Sequence, residues 1–358
     1  MSKAAELAAL IGSQTALSNR NLIINGAMQV AQRGTSANTS GSGQYLATDR
    51  FAWFQENTDQ VIATVSQDTN APDGFSNSHK IAISTAETTL DSDEIAGVYQ
   101  PIEAQNLQHL KFGTSSAESL TLSFWVKSTE TGTYAVLFYL ADGTTRGITK
   151  NYTISTANTW EYKTITIDGD TSGTIDNNND LGMGVYWVLS SGSGRGTVDG
   201  SSWRNYDANQ FGYGHTADVL TDSSATWQIT GVQLEVGEQA TPFEHRSFGD
   251  ELARCQRYFQ SIDTYNRTQT IGFGHKQTTD TVRFSIPTPV ALRADASISI
   301  SGNVNCLESN ETSTATTSIS GLYNSNGYVV ATGTVSGVVV GSITMLGSLG
   351  AVQIDAEL

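Results

Sequence analysis

The chain holds 358 residues, enough for two domains and a sizeable core. Charged residues make up 15%, prolines number 5, and Gly, Ser and Thr are abundant, a profile of short strands joined by polar turns and not of a helical enzyme. The net charge of −16 opposes binding to nucleic acid or to an anionic membrane, because phosphate contacts need clustered Lys and Arg.

Ala4, Leu7, Ala8 and Ile11 recur at i, i+3, i+4 and i+7, which predicts a short helix over residues 1–18. A helix of about 12 residues is marginal alone in water, so this segment needs a partner. Its apolar part is too brief, and with Glu6 too acidic, for a secretion signal. No apolar run approaches the ~20 residues of a membrane span. Residues 21–30 read as the first strand. After a Ser/Gly/Thr loop at 34–43, Asp49 and Arg50 stand beside Phe51, Trp53 and Phe54, and a carboxylate partner is expected for Arg50. Strands are expected at 60–66, 79–84 and 97–102. An acidic loop over 85–94 separates the last two, and a turn follows at 106–111.

Residues 120–127 give the clearest alternation. Leu120, Leu122, Phe124 and Val126 share one face, and Thr121, Ser123, Trp125 and Lys127 the other. Residues 134–140 repeat the pattern, with Tyr139 out of phase with Tyr134, Val136, Phe138 and Leu140. Asp142-Gly143 is a hairpin signal. Strands at 146–154, 160–167 and 184–189 follow, with a Gly/Asn/Asp/Thr-rich loop over 168–180. The stretch 190–215 is long and carries Trp203, Tyr206, Phe211 and Tyr213. Loops of that length are functional or disordered, and these aromatics argue against disorder.

Val232, Leu234 and Val236 alternate with Gln233 and Glu235 in a strand that stops at Gly237. Asp250 and Glu251 then suit a helix start, and Leu252, Cys255 and Phe259 recur along one face. Cys255 is expected in a core, and no disulfide framework or CxxC pair exists with Cys306. Strands resume at 272–276, 281–286 and 297–301. A Ser/Thr/Asn-rich stretch at 303–321, a Val/Thr/Gly-rich one at 328–343 and a last strand at 351–358 complete the chain.

The expected fold is all-β: a jelly-roll β-sandwich, a short helix and a second, smaller β domain. The expected divisions are a helical segment at 1–18, the sandwich at 19–247, a linking helix at 248–262 and a β domain at 263–358. No histidine stands in a metal-binding HxxH or HExxH pattern, and no GxSxG elbow is present. Asp142, Asp168, Asp170 and Glu235 offer paired carboxylates, as any acidic β protein does, so no enzyme activity and no cofactor are expected. Binding is the stronger reading. Sugars stack CH groups on aromatic rings while amides and carboxylates hold their hydroxyls. Alternation places Trp125, Tyr139, Tyr186, Gln233 and Glu235 on the face opposite the core, either open to a ligand or covered by a loop, subunit or domain.

Four segments carry a resemblance: NLIINGAMQVAQRGTS from Asn21, YLATDRF from Tyr45, SFWVKSTETGTYAV from Ser123 and NTWEYKTITIDGDTSGT from Asn158. With GVQLEVGEQATPFEHRSFGDELARCQRYF from Gly231, they span roughly residues 19–262. In this order and spacing they resemble structural proteins of tailed bacteriophages. VRFSIPTPVALRADASISI from Val282 resembles a segment after the same helix. The resemblance implies a virion protein, assembled in the host cytoplasm and located on the tail or the capsid surface. It also implies a homotrimer anchored to other virion proteins by its N-terminal segment. The expected role is in a tail fibre or tail tip that recognises a host surface glycan. A head-decoration, head-fibre or tail-adaptor protein is the structural alternative, and a capsule depolymerase a third. NLIINGAMQ also resembles the opening strand of carbohydrate-binding jelly rolls, where acids help hold calcium. Ala27 and Gln29 stand in place of those acids, so no metal is expected.

Overall fold

The computed structural model describes residues 19–58, 60–263, 270–278, 280–301, 304–308, 313–315, 318–325, 327–334, 343–348 and 351–358. The helix expected over 1–18 lies outside them. Contacts divide the chain into two units, Met1–Ser247 and Phe248–Leu358.

The first unit is a jelly-roll sandwich. Its strands are β1 (Ser36–Asn38), β2 (Gln44–Tyr45), β3 (Ala52–Glu56), β4 (Ile62–Asp68), β5 (Ser78–Thr85), β6 (Ile95–Glu103) and β7 (Leu120–Ser128). They continue with β8 (Gly132–Leu140), β9 (Arg146–Ile154), β10 (Glu161–Ile167), β11 (Leu181–Ser191), β12 (Arg204–Asn205) and β13 (Thr226–Val236). One sheet runs β1-β4-β5-β13-β7-β10 and the other β12-β9-β8-β11-β6-β3-β2, with antiparallel pairing throughout. Period-2 alternation supplies the core between them. Leu120, Leu122, Phe124 and Val126 of β7 face Val136 and Phe138 of β8 and Val185 and Trp187 of β11, all fully buried. The Trp187 ring lies 6.2 Å from Phe51 and 6.1 Å from Phe124, the latter edge-on.

Residues 21–30 do not form the expected first strand. Asn25 and Met28 take left-handed backbone angles, φ +60° and +56°, which no strand accommodates. The segment instead follows β13. A bulge between Thr230 and Gln233 frees the β13 backbone there, so Leu22 N donates to Leu234 O at 2.9 Å and Val232 N to Gly26 O at 2.9 Å. A Cβ on Gly26 would lie 2.1 Å from the Val232 carbonyl oxygen, so only glycine permits this approach. Arg50, fully buried, donates from Nη2 to Pro101 O at 2.8 Å and ties the start of β3 to β6. The turn expected at 106–111 is a 3₁₀ helix, Ala104–Leu110, that buries Leu107 and Leu110.

The same bulge holds Gly231 at φ +62°, where a Cβ would meet the Phe75 ring at 2.7 Å. Gly231→Ala is expected to destabilise the unit by about 1–2 kcal/mol and to shift the Phe75 loop, read as a lowered urea midpoint.

The second unit opens with helix α1 (Phe248–Gln256), which has Asp250 and Glu251 in its first turn and buries Cys255. The helix stops earlier than the expected 262. Phe259–Asp263 is a strand, because its backbone finds partners along Ala351–Asp355. That pair and Ser297–Ser301 form a three-stranded sheet. A seven-stranded sheet holds Thr270–Lys276, Thr281–Pro287 and Tyr328–Thr334 among its strands. Val282, Phe284, Ile286, Ile298, Val329, Ala331, Val352 and Ile354 make the core of this unit. The rest of the stretch expected at 328–343 lies largely outside the described residues.

Candidate ligand-binding cleft

On the outer face of the second sheet, pairing gathers side chains far apart in sequence. Tyr186 of β11 stands between Tyr99 of β6 and Leu137 of β8. Phe54 and Glu56 come from neighbouring β3. Tyr139 pairs with Gly184, whose missing side chain leaves room for the Tyr186 ring: a Cβ there would lie 2.4 Å from it. The aromatic loop supplies two more rings. Asp207 caps its short 3₁₀ turn, Ala208–Gln210, by accepting from Asn209 N at 2.9 Å, and Tyr206 N donates to Thr145 O at 2.9 Å. Tyr206 and Phe211 are thereby laid over the sheet.

The result is a cleft of about 340 Å³ lined by Phe54, Tyr99, Leu137, Tyr139, Tyr186, Tyr206 and Phe211, with Ser42, Gly43 and Glu56 completing it. Tyr99 and Tyr186 stack at 4.8 Å and 8°, and Phe54 and Phe211 at 5.3 Å and 10°. Tyr206 meets Tyr139 edge-on at 4.9 Å, as Phe54 meets Tyr186 at 5.4 Å. Such mutual packing fixes the rings before any ligand arrives. Burial pushes the Tyr99 and Tyr186 phenols above their ordinary range and Tyr206 to about 12, so all three stay neutral hydroxyls. The hydroxyls of Tyr139, Tyr186 and Tyr206 make no hydrogen bond among the described residues. The half-exposed Glu56 carboxylate is held by Arg195 Nη2 at 2.7 Å, and Arg195 Nε donates to Asp93 O at 2.7 Å.

Of the five residues the sequence puts forward, Tyr139 and Tyr186 meet in this cleft. The other three lie on the opposite side of the sandwich, because β7 and β13 belong to the first sheet. Gln233 and Glu235 do point outward, but residues 237–246 cover them and leave 0% and 2% exposed. Glu235 accepts from Thr241 N at 2.9 Å and from Thr241 Oγ1 at 2.6 Å, and Gln233 Oε1 accepts from Glu244 N at 2.8 Å. They pin that segment to the sheet and are not open to a ligand. Trp125 stays half-buried, 5.3 Å from Tyr162, in a separate cleft of about 420 Å³.

Alternation alone does not reveal Phe54, Glu56 and Tyr99, whose strands join the site by long-range pairing. The aromatic loop was the available signal for Tyr206 and Phe211. Three of the carboxylates suggested for hydrolysis, Asp142, Asp170 and Glu235, serve as anchors. Asp142 Oδ2 accepts from Asp176 N at 3.0 Å, and Asp170 forms a two-pronged ion pair with Arg146. Among the described residues no three His, Cys, Asp or Glu side chains gather to hold a metal.

A scan against protein-family models gives no match, and neither does a search of curated proteins. Solved structures similar to the chain include the enzymatically active domain of tailspike protein 4 from bacteriophage CBA120. That alignment has 17% identity and a TM-score of 0.33, and covers 61% of this chain and 21% of the tailspike chain. A family 11 carbohydrate-binding module from Clostridium thermocellum, in complex with a mixed-linked tetrasaccharide, aligns at 13% identity and TM-score 0.27, over 59% of this chain and 98% of the module. A CBM4 structure aligns at 12% identity and TM-score 0.31, over 60% and 98%. All three scores lie below 0.5, and the fold stands on the sheet topology itself.

Proposed function

We propose that the chain is a non-enzymatic glycan-binding virion protein of a tailed bacteriophage, working in a tail fibre or tail tip during host attachment. The observation that carries the binding half is the cleft itself. Packed aromatic rings offer flat apolar faces to the CH face of a pyranose, and unpaired tyrosine hydroxyls stand beside them for its hydroxyls. The virion half rests on the sequence segments that resemble phage structural proteins. On this reading the N-terminal segment docks to other virion proteins and the chain works as a homotrimer. A single weak cleft then gains avidity from several copies held close together. The acidic chain favours neutral polysaccharides, since a charge of −16 repels acidic ones. The anchoring roles of Asp142, Asp170 and Glu235 support binding without hydrolysis.

The test is an array of bacterial surface polysaccharides probed with the purified full chain, paired with a phage-adsorption competition on host cells. Retention of a few neutral polysaccharides, competition for adsorption and no released reducing sugar are expected. An array without binding, together with undisturbed adsorption, would overturn the proposal.

A further inference from the structure

We propose a second saccharide site on the outer face of the first sheet, separate from the cleft above and resting on the same reading of the domain as glycan-binding. Antiparallel pairing of β7 with β10 sets Tyr162 directly beside Trp125. Their centroids lie 5.3 Å apart with the planes inclined at 51°. Tyr162 is 46% exposed, unusual for a large aromatic side chain in a sheet. Phe75, Phe243 and His245 form the facing wall. Phe75 meets Phe243 edge-on at 5.1 Å, and His245 packs against both, at 5.4 and 4.9 Å. Asp73 stands at the rim of this cleft of about 420 Å³.

The wall is built, not incidental. Gly231 leaves the space that Phe75 fills, and Gln233 and Glu235 hold the segment carrying Pro242 and Phe243 through Thr241 and Glu244. Arg20 Nη2 adds a bond to Pro242 O at 2.5 Å. The polar atoms point to a hydroxylated ligand. Ser123 is 2% exposed, lines the cleft and has no hydrogen bond from its hydroxyl among the described residues. The Trp125 indole N–H and the Tyr162 hydroxyl likewise have no partner among them. Two ring faces with a few unpaired donors and acceptors suit one pyranose face and its hydroxyls. The cleft has the size of a small-molecule site, whereas a stable protein partner buries about 800 Å² on each side. Because the two clefts lie on opposite sheets, one domain would hold two glycan segments at once.

The test uses the full chain labelled with 5-fluorotryptophan. Its six tryptophans give six ¹⁹F lines, and Trp125→Phe assigns the relevant one. D-glucose, D-galactose, N-acetyl-D-glucosamine and L-rhamnose are titrated to about 100 mM, which reaches the millimolar affinities of single weak sites. The Trp125 line is expected to move saturably with at least one sugar, equally in Tyr186→Ala, and with affinity lowered tenfold or more in Tyr162→Ala. A line stationary with all four sugars overturns the second site, as does an equal response in Tyr162→Ala. If array binding survives Tyr186→Ala while the Trp125 line still responds, the first cleft fails and the second stands. If array binding is lost in Tyr186→Ala and the Trp125 line never moves, only the second fails.

Discussion

Acidification from pH 7.5 to 4.5 is expected to remove about 3–5 kcal/mol of stability from the sandwich, in roughly equal shares through His79 and His215. His79 is fully buried on β5. Its Nδ1 shares a 2.5 Å hydrogen bond with Thr48 Oγ1, its ring lies 5.8 Å from Phe51, and Nε2 has no partner among the described residues. Burial pushes its pKa down to about 3. Nδ1 of His215 accepts from Ala135 N at 3.1 Å and its Nε2 is closed off, and burial takes this ring to about 4.

Both folded values lie below the ordinary histidine value of about 6.5, so the unfolded chain binds more protons than the folded one. Their contribution is whole above pH 6.5 and falls as pH drops toward the folded values, by about 1.4 kcal/mol per pH unit for each fully buried ring. Asp68, Glu161 and Glu244 are held below their usual range by hydrogen bonds and neighbouring cations, so they lose charge only at lower pH. Asp49 and Asp142, both raised by burial, act in the opposite sense as they protonate. The loss of stability between pH 6.5 and 4.5 is therefore carried by the histidines. Urea unfolding followed by circular dichroism at four pH values reads the slope. His79→Gln is expected to lower stability at pH 7.5 but to make the slope markedly shallower. An unchanged slope in that variant contradicts the assignment.

Tyr186 and Trp187 are neighbours on β11 with opposite expected outcomes. Trp187 points into the core among Phe51 and Phe124, and Trp187→Ala leaves a cavity costing about 3–5 kcal/mol. Against a typical domain stability of about 5–15 kcal/mol, that removes a large share of the folding free energy and lowers the melting temperature steeply. Tyr186 points into the cleft and stacks on Tyr99. Tyr186→Ala is expected to cost only about 1–2 kcal/mol of stability, within the ordinary range for single substitutions, while lowering glycan affinity tenfold or more. Thermal denaturation and binding measured on the same preparations separate the two. Equal losses of stability would contradict the placement of these adjacent rings.

The core was legible because alternation is local. Leu120, Leu122, Phe124 and Val126 announce their face within one strand, and β7 and β8 lie where the pattern puts them. The same pattern gives the outward direction of Trp125, Tyr139 and Tyr186 but not the sheet to which each belongs, which long-range pairing decides. Nor does it show what lies above an outward side chain, and so Gln233 and Glu235 read as ligand groups although residues 237–246 cover them. Leu22, Ile23 and Ile24 look like a strand, but the left-handed turns at Asn25 and Met28 become visible only with the backbone. Tyr99 and Phe54 join the cleft through the β11–β6–β3 pairing, which nothing in the alternation of the individual strands encodes.

On the proposed function, the aromatic cleft of the second sheet holds a saccharide. Titration calorimetry of the wild-type chain and of Tyr186→Ala with a polysaccharide retained on the array tests it most directly. Saturable binding by wild type, weakened at least tenfold in a variant that remains folded, is the predicted result. Equal affinity in the two proteins would contradict it.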